Sequence, residues 1–260
     1  MRLQIMSDLH LGYPGRRGAP PPVRGVDAVV VAGDTCEGLV HAVEALRRAY
    51  PEPLEIVAVP GNHEFYSRHA TYREELAAGR EAAAALRVGL LENAVCFLGR
   101  LRVIGCTMWT DYGAFGESLR PAAIGAAAGY LLDHRRIKWS RSPWRRFRPE
   151  EARTLHLQSR EFVIRELGKL HAGPTVCIFH HGIVLDAVAP VFRGEIETAA
   201  YASRLEWLID IYQPDLVVSG HTHHSMDIRR GRTRLVSNPA GYGDENPLFD
   251  PAFVVEIPDA

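Results

Sequence analysis

The chain has 260 residues, 47% of them hydrophobic and 23% charged, a balance that supports a buried globular core. Its formal net charge of −1 gives no global field toward nucleic acid or an anionic membrane. No apolar run approaches the roughly 18 residues of a membrane-spanning helix. The four cysteines, Cys36, Cys96, Cys106 and Cys177, form no Cys-x-x-Cys pair and have apolar neighbours. Buried free thiols in a reducing cytoplasm are therefore expected. A strand begins almost at once, leaving no room for the apolar core of a signal peptide.

Residues 2–6 read as a buried strand, and 12–25, rich in Gly, Pro and Arg, as a loop. A strand over 27–32 is followed by a helix over about 37–50, where Leu39, Val40, Val43 and Leu46 recur at helical spacing. A strand over 54–59 ends at Pro60-Gly61, and an Ala- and Glu-rich helix covers about 68–87. Strands alternating with helices imply parallel pairing through crossovers. Segments 94–98 and 101–105 flank Gly99-Arg100 at hairpin spacing. Residues 107–150 break the pattern and read as a helical cap-like insertion, with small residues from Ala122 to Gly129. Pro149-Glu150-Glu151 suits the first turn of a helix reaching about Leu170. A strand over 175–179, a helix over 199–212, a strand over 215–219 and short strands near 226–230, 233–237 and 252–257 complete the chain. No repeat and no polar linker separates two cores, so one domain over 1–260 is expected, with the cap at about 107–150.

Five of the apolar runs share a feature. Leu3-Gln4-Ile5-Met6 is followed by Asp8 and His10, and Ala28-Val29-Val30-Val31-Ala32 by Asp34. Ile56-Val57-Ala58-Val59 is followed by Asn62, Val176-Cys177-Ile178-Phe179 by His180, and Leu216-Val217-Val218 by His221 and His223. Open α/β sheets bind ligands beyond the carboxyl ends of their strands, which is how distant residues reach one site. Imidazoles, two carboxylates and one amide oxygen suit two divalent transition metals sharing a bridge. Asp8-x-His10 and His221-x-His223 each alternate, so each pair can point to one side. Any one of these short motifs alone is also what an ordinary turn would carry.

Together, Asp8-x-His10, Gly33-Asp34, Gly61-Asn62-His63-Glu64, His180-His181 and Gly220-His221-x-His223 resemble the calcineurin-like metallophosphoesterase superfamily. The resemblance implies a four-layer α/β/β/α sandwich with a two-metal centre. It implies one ion on Asp8, His10, Asp34 and His223, and another on Asp34, Asn62, His180 and His221, with Asp34 bridging. The chain reads Gly33-Asp34-Thr35-Cys36-Glu37-Gly38 and lacks the Asp-Arg pair of serine/threonine protein phosphatases, which weighs against that activity. Glu64 stands where many members have Asp, and Gly182 where many phosphodiesterases have Pro. His180 is preferred to His181 as the ligand because it lies nearer the strand end. Trp109-Thr110-Asp111-Tyr112, Arg148-Pro149-Glu150 and Asn238-Pro239-x-Gly241-Tyr242 are similar to an uncharacterised bacterial subgroup, although Ala240 replaces an Arg common there.

The chemistry implied is in-line attack on a phosphoester by a metal-bridging hydroxide, with His63 as the candidate general acid. Glu64, His181 and Asn238 are candidates beside the ligands or on the substrate side, with Glu64 orienting His63; Asn238-Pro239 also suits a plain turn. Residues 134–148 carry seven Arg or Lys with no acid, interleaved with Trp139, Trp144 and Phe147. They read either as a cap that recruits phosphate and stacks a base or as a surface segment whose arginines pair with acidic helices. The expected partner is a small phosphodiester or nucleotide, with nucleic acid less favoured and no membrane. The expected cofactors are two ions of manganese, iron, zinc or cobalt. A phosphomonoesterase or protein phosphatase, or a non-catalytic scaffold on the same fold, are the alternatives.

Overall fold

The period of two within the strands decides the layers. In β1 (Arg2–Met6) Leu3 and Ile5 enter one cluster and Met6 another; in β2 (Ala28–Ala32) Val30 goes with the first, Val29 and Val31 with the second. β3 (Glu55–Val59) divides the same way, Val57 and Val59 against Ile56 and Ala58. The computed structural model describes residues 1–15 and 18–258.

The first cluster is filled from the far side by Val176 and Ile178 of β9 (Thr175–Phe179) and by Leu216 and Val218 of β10 (Leu216–Ser219). It is the interior between two sheets. One has the order β13-β1-β2-β3-β4, adding β4 (Gly89–Leu90) and the antiparallel edge strand β13 (Val254–Glu256). The other has the order β11-β12-β10-β9-β6-β5, with β5 (Ala94–Leu98), β6 (Leu101–Cys106), β11 (Met226–Arg230) and β12 (Thr233–Ser237). Helices cover the outer faces. α1 (Leu39–Ala49) places Val43 and Leu46, and α2 (Tyr72–Ala85) places Ala83, against the first sheet. α5 (Pro149–Leu167) places Val163, and α6 (Glu206–Tyr212) Leu208 and Ile209, against the second. This is the α/β/β/α sandwich. Each Val, Leu or Ile buried in it contributes about 1.5–3 kcal/mol.

Two local readings change and a third is narrowed. The helix expected over 199–212 starts only at Glu206, because Gly182 donates to the carbonyl of Tyr201 and accepts from the amide of Ser203, holding that stretch extended. The 107–150 insertion holds α3 (Arg120–Tyr130) and α4 (Asp133–Arg136), but also a hairpin of β7 (Lys138–Arg141) and β8 (Trp144–Arg146). Its cations are tied to neighbouring helices and loops: Arg141 to Glu74, Arg145 to Glu151 and Arg136 to Glu37. Phe147 is fully buried and stacks with Tyr72 and His134, while Trp139 packs beside it. The pairing and packing follow the second of the two readings of 134–148. No described helix is long and apolar enough to cross a membrane.

Candidate metal centre

The loops after β1, β2 and β3 in one sheet meet those after β9 and β10 in the other. Backbone bonds lock them: Asp8 N–H donates to Gly33 O, His10 N–H to Asp34 O and Leu11 N–H to Thr35 O. Both carboxylate oxygens of Asp8 accept from His221 N–H at 3.0 Å, crossing from one sheet to the other. The Glu64 carboxylate ties two more loops by accepting from Gly61 N–H (2.7 Å), Asp34 N–H (3.0 Å) and Thr35 N–H (2.6 Å). It is committed to backbone amides, with no bond to the His63 ring, so the orienting role expected for it is replaced by loop closure. Two glycines allow the approach: a Cβ on Gly61 would overlap the Asp34 carboxylate, and one on Gly33 the His180 imidazole.

Asp8, His10, Asp34, His221 and His223 have φ of 53, 44, 54, 68 and 49°. Left-handed backbone in such residues costs of order 1–3 kcal/mol each and persists where surrounding structure enforces it, characteristically at functional sites. Here it turns each side chain from the strand end toward the centre.

Three groups of ligand atoms result, each gathered within 4.8 Å: Asp8, His10 and His223; His10, Asp34 and His63; Asp34, His180 and His221. His10 Nε2 lies 3.0 Å from His223 Nε2, and His223 Nε2 is 3.4 Å from Asp8 Oδ1. Asp34 stands between the ends, with Oδ2 at 3.9 Å from His10 Nε2 and Oδ1 at 3.5 Å from His180 Nε2.

The donor set calls for a cation. His180 Nδ1 donates to the Ala32 carbonyl at 2.8 Å, so in the neutral ring Nε2 carries a lone pair. That lone pair faces Asn62 Oδ1 at 3.0 Å. Asn62 cannot present its amide nitrogen there, because Nδ2 donates to Asp133 Oδ1 (2.8 Å) and to the Tyr66 hydroxyl (3.1 Å), while Tyr66 itself donates to Asp133 at 2.5 Å. His221 Nδ1 lies 3.1 Å from the same His180 nitrogen. Acceptors converging at these distances are what a divalent ion satisfies.

Titration points the same way. Burial pushes His10 down to about 3, against the pull of Asp8, and burial with His180 pushes His63 down to about 4. Burial also lowers His221 strongly, so these imidazoles are neutral at pH 7 and free to ligate. Burial and the charge of Asp8 hold Asp34 well above the usual carboxylate range. His223 is the exception. Burial opposes its charge, but the hydrogen bonds to Asp8 and Glu245 outweigh that and raise it to about 10. Its Nδ1 is 2.6 Å from Glu245 Oε2.

His181 and Asn238 are turned to other partners. His181 is buried, packs tilted against His221 with centroids 4.0 Å apart, and places Nδ1 3.3 Å from the Thr107 carbonyl. The Asn238 amide donates to Ile5 O and Asp250 O and accepts from Asp250 N–H, which pins the last loop to β1 and keeps it off the cleft wall. Four residues that sequence reasoning did not single out take part instead. Asp133 and Tyr66 fix Asn62, Glu245 fixes His223, and the Tyr242 hydroxyl sits 3.0 Å from His63 Nε2 while its ring stacks on His10 at 4.2 Å. Only Tyr242 left a trace, in Asn238-Pro239-x-Gly241-Tyr242.

Against known proteins, residues 1–225 match the family model of the calcineurin-like phosphoesterases. No curated protein matches the chain. Among solved structures, the Phosphopantetheinyl Hydrolase (PptH) of Mycobacterium tuberculosis superposes with a TM-score of 0.74 at 19% identity, covering 99% of this chain and 96% of that one. A Staphylococcus aureus structure described as a 5′-nucleotidase in complex with alpha-ketoglutarate gives a TM-score of 0.49 at 13% identity, over 91% of this chain and 48% of that one. The first likeness is one of fold; the second is too distant to add to it.

Proposed function

This chain belongs to the calcineurin-like phosphoesterase family, a metal-dependent phosphoric ester hydrolase, and from that premise we propose that it holds two divalent ions and hydrolyses a small phosphodiester. Asp8, His10, Asp34 and His223 would hold one ion, and Asp34, Asn62, His180 and His221 the other. The observation that carries this is the meeting of unshared acceptors at the centre: His180 Nε2 against Asn62 Oδ1, with Asp34 reaching toward both ends. Bound there, two divalent ions supply a nucleophile from water at neutral pH and neutralise the phosphoryl oxygens.

The chain's own residues do the rest. His63 lies beside Asp34, its Nε2 3.8 Å from Oδ2, and faces the cleft. It serves the leaving oxygen, which needs a proton or a donor as the P–O bond breaks. In the free chain His63 is neutral at pH 7; an anionic phosphoryl group beside it favours the protonated ring. Tyr242 bonds its Nε2 and fixes the ring. A cleft of about 760 Å³ opens from Asp34 and His63, room for the ester groups of a small diester.

The test is the rate of bis(p-nitrophenyl) phosphate against p-nitrophenyl phosphate on protein loaded with manganese, zinc, nickel or magnesium. Faster diester turnover is expected. Preference for the monoester overturns the diester assignment, and no turnover of either with two ions bound favours a scaffold. Phosphopantetheinyl esters, the group named for the Mycobacterium tuberculosis hydrolase of this fold, belong in the next set of substrates.

A further inference from the structure

The cleft that leads away from the metal centre has two walls. One is the α3–α4 corner, with Tyr130, Leu131 and Leu132. The other is the arm before α6, with Val188, Phe192 and Tyr201. Tyr130, Leu132 and Phe192 are 66, 46 and 52% exposed, an unusual cost for large apolar side chains at a cleft mouth unless a ligand covers them. Apart from the proposed ligands and His63, the charged groups on the described lining are acids: Glu195 and Glu197 on the arm, Glu245 against His223, and Asp133 behind Asn62.

No lysine or arginine lines the cleft among the described residues. The cations near each wall in sequence are held elsewhere. Arg135 donates to Gly129 O, and Arg136 pairs with Glu37 and lies over the Tyr66 ring at 4.6 Å. Arg193 donates to Val188 O and Asp186 O and pairs with the Asp186 carboxylate. A second phosphate or a carboxylate on the substrate would lose water without gaining a cationic partner on the described lining, and would meet Glu195 and Glu197. Nucleotide polyphosphates and nucleic acid, which enter sites through Lys and Arg, do not suit these walls.

We propose that this cleft selects a phosphodiester whose retained ester group is uncharged and largely apolar, and that Glu195 and Glu197 discriminate against any further anionic group. The inference rests on the phosphodiesterase reading and names its substrate class. The occupant follows from the walls: apolar surface on two sides, uncompensated carboxylates, and continuity with Asp34 and His63.

The experiment uses the metal-loaded enzyme and p-nitrophenyl phosphodiesters whose second ester is methyl, butyl, octyl or 7-carboxyheptyl. Each methylene fully buried is worth about 4-fold, so kcat/KM rises at least about 10-fold from methyl to octyl. The carboxyheptyl ester, of similar length, falls about 10-fold or more below octyl. Phe192→Ala lowers the octyl-to-methyl ratio, and the double change Glu195→Gln, Glu197→Gln lowers the octyl-to-carboxyheptyl ratio. Calorimetry of methylphosphonate, octylphosphonate and methylenediphosphonate reads the same selectivity without turnover, with octylphosphonate binding most tightly. A flat length series, or a charged ester preferred to octyl, overturns the inference. If no ester is cleaved, the catalytic reading fails, and the phosphonate order alone then upholds or overturns the cleft assignment.

Discussion

Replacing Asp133 with Ala tests how the insertion reaches the metal centre. Asp133 is 3% exposed and accepts from both the Asn62 amide and the Tyr66 hydroxyl through one oxygen. Without it, the Tyr66 proton has no acceptor, and the Asn62 amide can turn to offer Oδ1 to that hydroxyl. The amide N–H would then face His180 Nε2 and fill the position where acceptors converge. Loss of a buried hydrogen-bond partner costs about 1–3 kcal/mol. Removing the partner that orients a ligand usually lowers metal affinity about 10–100-fold, roughly 1.4–2.7 kcal/mol, which agrees. No hydrogen bond joins Asp133 to Asp8, His10 or His223, so the loss should fall on one site. A two-step calorimetric titration of the metal-free protein with zinc or manganese should show one step weakened in Asp133→Ala and the other unchanged. Equal weakening of both steps, or of neither, refutes the reasoning. Urea unfolding of the metal-free variant separates a local effect from damage to the fold.

His63→Ala should retain both ions but slow turnover by about 10²–10⁴-fold for poor leaving groups, with a smaller loss for p-nitrophenolate; the same loss across a leaving-group series would contradict the general-acid assignment. For His223 the sign is set by its rise from 6.5 to about 10, the result of hydrogen bonds to Asp8 and Glu245 overcoming burial. In the metal-free chain its charge stabilises the fold fully below pH 6.5, and that contribution is lost as pH rises through about 10. Metal binding needs the neutral ring, so loading at pH 8 should release a proton from His223, and that release should vanish above about pH 10. Calorimetry in buffers of different ionisation enthalpy measures it. Glu245→Gln should reduce the release at pH 8; an unchanged value would show that Glu245 does not hold the ring.

The strands and the proposed ligands were legible because one chemistry controls both. A strand buried on two faces is a short apolar run, and a residue carried to the centre from its end follows within a few positions, as Asp8, Asp34 and His180 do. Nearness to the strand end is the ground for proposing His180 rather than His181; in the structure His180 Nε2 faces Asn62 Oδ1, while the His181 ring lies tilted against His221. The residues that hold the ligands in place were not legible. Asp133 lies 71 positions from Asn62, and Glu245 22 from His223. Each is an acid of ordinary appearance, and its partner is fixed only by tertiary packing. Glu64 shows the opposite case: adjacency to His63 suggested that it oriented the ring, whereas its oxygens meet the backbone of its own loop at Gly61 and of the loop after β2 at Asp34 and Thr35. Within the insertion, α3 has an Ala- and Gly-rich sequence with little amphipathic pattern, and the β7–β8 hairpin turns through Ser142-Pro143 in a segment whose basic character drew attention to charge alone.

The most direct test of the two-ion centre is Asp34→Asn, measured for bound metal by elemental analysis and for bis(p-nitrophenyl) phosphate turnover on the same sample. Asp34 Oδ1 and Oδ2 face opposite ends of the proposed centre. The variant should therefore lose metal from both positions and lose diester turnover with it. Retention of two tightly bound ions together with activity would contradict a centre bridged by Asp34.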